Sequence, residues 1–154
     1  MRPPRLMAAL ALALLMPGAG IADPSPETVE QLRQPPATAT PSSEYQRGVR
    51  ARVVKDWAAA EAAFRQAIVQ RPDFADAWNE LGYALRHQGK YGESINAYLE
   101  ALRLEPNFPE ALEYLGEAYV EMGRLDEARS VLGRLRAVDM ARAGELAEAI
   151  DKAK

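Results

Sequence analysis

The sequence has no cysteine and a single histidine, His87, among its 154 residues. The first absence excludes disulfides, thiolate metal sites, a cysteine nucleophile and an acylated lipoprotein cysteine. It does not place the chain in a compartment, because an oxidising compartment permits disulfides without requiring them. A lone imidazole at a polar helix end, followed by Gln88-Gly89, reads as surface decoration rather than as a general base. The carboxylates offer no pair held in an apolar pocket, which a glycosidase-like acid and base would need. No glycine loop shaped to cradle phosphate occurs. Glu110, Glu113 and Glu117 share one helical face and would at most attract Ca²⁺ loosely. Catalytic residues, cofactors and a metal site are therefore all expected to be absent. An excess of positive charge is missing too. Nineteen basic and 22 acidic residues leave a formal charge of −3, far from the balance of a nucleic-acid binder.

What is present begins with export. Met1 to Arg5 is short and positive, Leu6 to Met16 is an unbroken apolar run, and Gly20-Ile21-Ala22 sets small residues before Asp23. That order predicts a signal peptide over 1–22. The apolar core is too short to span the ~30 Å of hydrocarbon that needs about 20 residues, although an uncleaved N-terminal anchor is the competing reading. No transmembrane span is expected after cleavage, and 17 basic against 22 acidic residues would remain. Residues 23–41 carry prolines at 24, 26, 35, 36 and 41, a composition that predicts a disordered, semi-extended linker.

Beyond the linker the sequence repeats every thirty-four residues. Gly48, Gly82 and Gly116 keep that spacing, as do Trp57, Tyr91 and Leu125. Ala60, Ser94 and Ala128 follow, then Phe64, Tyr98 and Leu132, while Pro72 and Pro106 close the first two units. A fixed period of this length signals a repeat architecture. Within a unit, Trp78, Leu81, Gly82 and Leu85 fall at i, i+3, i+4 and i+7, one face of a helix. Gly89 and Gly123 sit where that helix must stop and reverse, and the prolines prevent the second helix from continuing. A glycine inside a helix costs roughly 0.8–1 kcal/mol relative to alanine, so Gly48, Gly82 and Gly116 are expected to be thin positions that let the two helices of a pair come close where a Cβ would hold them apart.

Trp78-x-x-Leu81-Gly82 with Ser94-x-x-x-Tyr98 and Pro106 resembles a tetratricopeptide repeat. Leu115-Gly116-x-x-Tyr119 with Ala128, and Ala60-x-x-x-Phe64 with Pro72, resemble it as well. The resemblance implies an all-α, right-handed α-solenoid of three helix pairs, over about 41–74, 75–108 and 109–142, inside a domain spanning 42–152. The first unit is the weakest, since Glu44 and Arg47 stand where Trp78 and Leu81 stand in the second, and Lys55 replaces the turn glycine. Ala143, Leu146, Ala147 and Ile150 form one more apolar stripe, which predicts a capping helix over 141–152.

In this family the first helix of each pair lines a concave surface. The corresponding residues here are Tyr45, Val49 and Arg52, then Asn79, Tyr83 and Arg86, then Glu113, Glu117 and Glu121. That surface is graded from aromatic and aliphatic to acidic, which favours a partner segment with a basic or polar end. Relatives that clamp a C-terminal carboxylate use cations and asparagine at places filled here by Tyr45, Val49, Glu80, Glu110 and Tyr114, so that clamp is absent. The expectation is a non-enzymatic binding module of the Gram-negative periplasm, with a monomer favoured: a protein–protein adaptor or assembly factor. A self-associating structural subunit of an envelope complex is the alternative. The partner is a protein and not a nucleic acid.

Overall fold

A computed structural model of the chain describes residues 40–153. The expected signal peptide over 1–22 lies outside the described residues, as does the linker up to residue 39. The described residues form seven α-helices and no strand: α1 (Pro41–Val53), α2 (Trp57–Gln70), α3 (Ala75–His87), α4 (Tyr91–Leu104), α5 (Pro109–Glu121), α6 (Leu125–Arg136) and α7 (Met140–Lys152). Pro41, assigned to the linker's end by composition, is the first residue of α1, where its fixed φ suits the opening turn and its missing N–H costs nothing. Ahead of it, the Ser43 amide donates to Thr40 Oγ1 at 3.1 Å and the Thr40 amide to Ser43 Oγ at 2.8 Å, a reciprocal cap.

Each of the first three hairpins turns in the same way. The amides of Asp56, Lys90 and Arg124 donate to the carbonyls of Ala51, Leu85 and Tyr119, and the residue before each donor is left-handed. Those residues are Lys55 (φ 59°), Gly89 (φ 74°) and Gly123 (φ 71°). The hairpin geometry therefore demands the left-handed turn, and the first unit meets it without a glycine.

The pairs α1–α2, α3–α4 and α5–α6 pack side by side, and α2–α3, α4–α5 and α6–α7 join them in sequence. Each odd helix also packs backbone-close against the next odd one, whereas the even helices do not, α2 reaching α4 through the long Arg65–Glu93 ion pair at 2.8 Å. Close packing along one layer only bends the array toward that layer, so the odd helices line its inner side. A Cβ at Gly48 would lie 2.5 Å from the Phe64 ring, and one at Gly82 would lie 2.7 Å from the Tyr98 ring. Both rings are fully buried. The third unit departs from the expected within-pair contact: a Cβ at Gly116 would meet Leu146 of α7. Leu132, in the register of the two rings, is too short to fill that notch, and the capping helix fills it.

Ala60 and Ala128 are buried at the same register as Ser94, whose hydroxyl donates to the Gly82 carbonyl at 2.8 Å. One apolar cluster gathers Phe64, Leu81 and Leu85, a second gathers Tyr98, Leu115, Tyr119 and Leu146, and Trp78 packs against both. The Trp78 indole N–H donates to the Pro72 carbonyl at 2.8 Å, while an Arg134 guanidinium N–H uses the Pro106 carbonyl at 3.0 Å. The proline stops thus anchor neighbouring helices. α7 covers the last pair with Ala143, Leu146 and Ile150 and turns Glu145 and Glu148 to water.

Glu61 of α2 ties the first hairpin to the second. It accepts from Lys90 Nζ at 2.8 Å, Gln88 Nε2 at 2.9 Å and Arg65 Nε at 2.9 Å. Burial alone would raise its carboxyl, but these bonds outweigh burial and bring it down to about 2. A depressed carboxyl stabilises the fold above its unfolded value of about 4.3, and that contribution is lost as pH falls toward about 2. Glu61→Gln should therefore melt earlier than the parent at pH 7, by roughly 1 kcal/mol because Arg65 and Lys90 are open to water. Its melting temperature should also fall less steeply across that acidic window, as thermal scans from pH 2 to 7 would show. Lys55→Gly should raise stability by roughly 0.5–1 kcal/mol, since a left-handed side-chain-bearing residue is strained and glycine is not. Calorimetry showing no gain would mean that Lys55 is held without strain.

Candidate functional site

The inner layer is built on α3. Asp76, Asn79, Tyr83 and Arg86 recur at helical spacing along one face of it. The Tyr83 ring lies at the centre of that face. Its centroid is 5.2 Å from Tyr114 of α5, 4.4 Å from His87 and 6.0 Å from Trp57 of α2. Two guanidinium carbons approach it, Arg52 of α1 at 5.4 Å and Arg86 at 5.8 Å, a separation at which a cation is attracted to the ring face. Tyr83 is half-buried, so it joins three hairpin elements while keeping part of its surface open.

The His87 ring stacks on Trp57 at 4.3 Å with the planes 10° from parallel. The histidine is exposed, but it is a packed wall of the groove and not loose decoration. The turn after α1 brings Trp57 against the end of α3, giving that tryptophan a groove-side role beyond starting the second helix. Burial lowers the imidazole's pKa, and Arg86 and Lys55 add to this against the opposing Glu121. Tyr45 is half-buried against Phe74 at 4.9 Å and Phe64 at 5.7 Å. Burial, then the charges of Glu80 and Asp76, push its phenol up to about 12 in spite of Arg52. Val49 packs into the same cluster. These two expected groove residues therefore belong partly to the core.

Asn79 was expected among the central contacts, but it is only 4% exposed. Its side-chain oxygen is buried without a partner. The larger correction concerns the acidic end. Glu113 is 4% exposed and is paired with Arg142 of α7, which also donates to Glu110 at 2.7 Å. Burial pushes the Glu113 carboxyl up, and the Arg142 hydrogen bond holds against this. A buried carboxylate needs a counter-charge, and the capping helix supplies it, so Glu113 is covered rather than open on the inner face. Arg86 reaches Glu117 at 2.8 Å and Glu121 at 3.0 Å, and Arg52 reaches Glu80 at 3.1 Å. Guanidinium groups thus already cross the glutamate stripe that had suggested loose Ca²⁺ attraction.

Two participants were not singled out in the sequence. Tyr114 entered only as a place where the carboxylate clamp is missing, and Arg142 lies in a helix read as a plain cap. The signal for Arg142 was available in principle: it is a lone arginine on the otherwise apolar and acidic stretch Ala141–Ile150.

Three repeat models match the chain: a TPR repeat over 82–123, and tetratricopeptide repeats over 63–96 and 110–139. The chain is a tetratricopeptide-repeat protein. This repeat protein is 38% identical over 65 residues to the peroxisomal targeting signal receptor of Candida albicans, covering 42% of this chain and 11% of that receptor. It is 35% identical over 89 residues to a TPR repeat-containing protein of Pseudomonas aeruginosa, covering 57% of this chain and 15% of that one. The chain therefore spans only about a tenth to a seventh of the length of these curated relatives. Among solved structures, the TPR2B-domain:pHsp70-complex of yeast Sti1 matches with a TM-score of 0.69 at 22% identity, over 73% of this chain and 94% of that one. The first TPR of Spaghetti bound to an HSP90 peptide matches with a TM-score of 0.70 at 15% identity, over 73% and 91%. These two likenesses establish the fold alone. MamA matches at 26% identity with a TM-score of 0.63, over 68% of this chain and 61% of that chain.

Arg142→Ala should strand the Glu113 carboxylate and lower stability by about 1–3 kcal/mol. Adding Glu113→Gln should recover part of the loss, because no buried charge is then left alone. A denaturant titration in which the double variant is no more stable than Arg142→Ala would show that the loss came from packing.

Proposed function

We propose that this protein is a non-enzymatic adaptor that holds a segment of a partner protein along the concave face of α1, α3 and α5. The observation that carries the reading is the Tyr83 centre. A half-open aromatic with a polar tip, flanked by Arg52, Arg86 and Tyr114, gives a guest chain large contact area and hydrogen-bonding capacity at little entropic cost. Two of the structural neighbours are, by their titles, complexes with pHsp70 and with an HSP90 peptide, which supports peptide docking as the mode. The guest here differs in kind. The places where an acidic carboxyl terminus would be clamped hold Tyr45, Val49, Glu80, Glu110 and Tyr114, and the two glutamates already engage Arg52 and Arg142.

The same proposal places the adaptor in the periplasm of a Gram-negative bacterium, serving an envelope complex. The positive start, the apolar run from Leu6 to Met16 and the small residues before Asp23 support it. The test is photo-crosslinking in cells, with benzoylphenylalanine placed at position 83 and, for comparison, at Leu99 on the outer helix α4. A discrete protein adduct from position 83 and none from position 99 is the expected outcome. Equal adducts from both positions would overturn the groove as the docking face.

A further inference from the structure

α5 carries its acids in two tiers, and the chain answers them unequally. The first tier, Glu110 and Glu113, is bridged by Arg142, whose two terminal nitrogens each take one carboxylate while Nε approaches Asp139 at 3.4 Å. Two turns further along, Glu117 and Glu121 form the second tier. Their ion-pair partner among the described residues is Arg86, which serves both through the single atom Nη1. Two carboxylates thus share one guanidinium nitrogen, and they remain 31% and 39% exposed.

α7 runs alongside α5 in the same direction, since Arg142 meets Glu110 and Glu113 while Ala149 borders the cleft of Glu117 and Glu121. Ala149 is seven residues after Arg142, on the same face two turns on. Where the first tier receives an arginine from α7, the second meets a methyl group. The result is an open cleft of about 520 Å³ with Glu117 and Glu121 on one side, Arg86 and His87 of α3 on another, and Val120, Ala149 and Tyr91 as less polar walls. Its size is in the range of ligand-binding clefts.

We infer that this cleft is the seat for an arginine side chain of the partner segment, which takes at the second tier the place that Arg142 takes at the first. This rests on the groove reading above and adds to it the chemistry of one contact. The aliphatic stem would lie on Val120 and Ala149. The planar head would reach the carboxylate oxygens that Arg86 leaves unused, in the forked manner that suits guanidinium to paired acids. Charge complementarity selects this occupant: the tier holds two negative charges against one positive, and the opposing helix supplies none.

The test compares two acetylated, amidated pentapeptides, Ala-Ala-Arg-Ala-Ala and the same peptide with uncharged citrulline in place of arginine. Each is titrated into the whole chain at pH 7.5 and followed by amide chemical shifts. The arginine peptide should bind at least about tenfold more tightly than the citrulline peptide, as loss of a charge-assisted bond implies, and should shift the amides of Gly89, Val120 and Ala149. The preference should fall to near one in Glu117→Gln/Glu121→Gln. It should fall equally in Ala149→Arg, which fills the cleft from within and leaves both glutamates in place. Equal binding of the two peptides to the parent chain, no shift at those amides, or a preference surviving in Ala149→Arg would each overturn the inference. None of these outcomes touches the crosslinking result at position 83, on which the broader reading stands or falls.

Discussion

A two-helix hairpin of about thirty residues cannot bury its own apolar face, and everything else in this molecule follows from how the hairpins lean on one another. The approach is closest where Gly48 and Gly82 admit the rings of Phe64 and Tyr98, which are sealed from solvent. A side chain at either glycine would drive the helices of its pair apart, and the inner layer of odd helices would lose its spacing. Because contacts between hairpins run through nearest neighbours, that spacing sets the curvature of the layer. The curvature in turn sets the distance at which Tyr83 meets residues from α1, α2 and α5. The inner face is thus a consequence of the core geometry beneath it.

The inner face is also an electrostatic surface largely neutralised from within. Arg52, Arg86 and Arg142 each cross from one hairpin to the next to meet a glutamate, so these ion pairs act as stitches between units as well as features of the groove. Exposed pairs contribute little to stability, but Glu113 is buried and its partner is obligatory. The acidic excess that composition suggested therefore contracts to the second tier of α5. In the proposed docking mode, specificity for a guest would be set less by total charge than by which carboxylates the fold has left under-used.

Much of this was legible in the residues themselves. The period of thirty-four placed the turns, and the repeated left-handed position appears at Lys55, Gly89 and Gly123. The capping helix, expected over 141–152, begins one residue earlier, at Met140. The misses share one cause. Glu113 and Asn79 stand at places that face inward in this family, yet facing inward is not the same as facing solvent. A neighbouring helix covers them, and no spacing rule within α3 or α5 reports on that neighbour. Gly116 misled in the same way, because its filling residue comes from outside its own pair.

Local chemistry and periodicity by themselves determined that the chain makes helix pairs, where each pair turns and stops, and which face of each helix is apolar. These are properties of contacts between residues a few positions apart. Only the tertiary structure decided which arginine answers which glutamate, which groove residues are covered, and where the acidic face stays open. Those outcomes join residues about thirty positions apart in the chain, such as Arg142 with Glu110 and Arg86 with Glu121. They depend on the rotation of one helix against another, which packing sets only once the whole array has assembled.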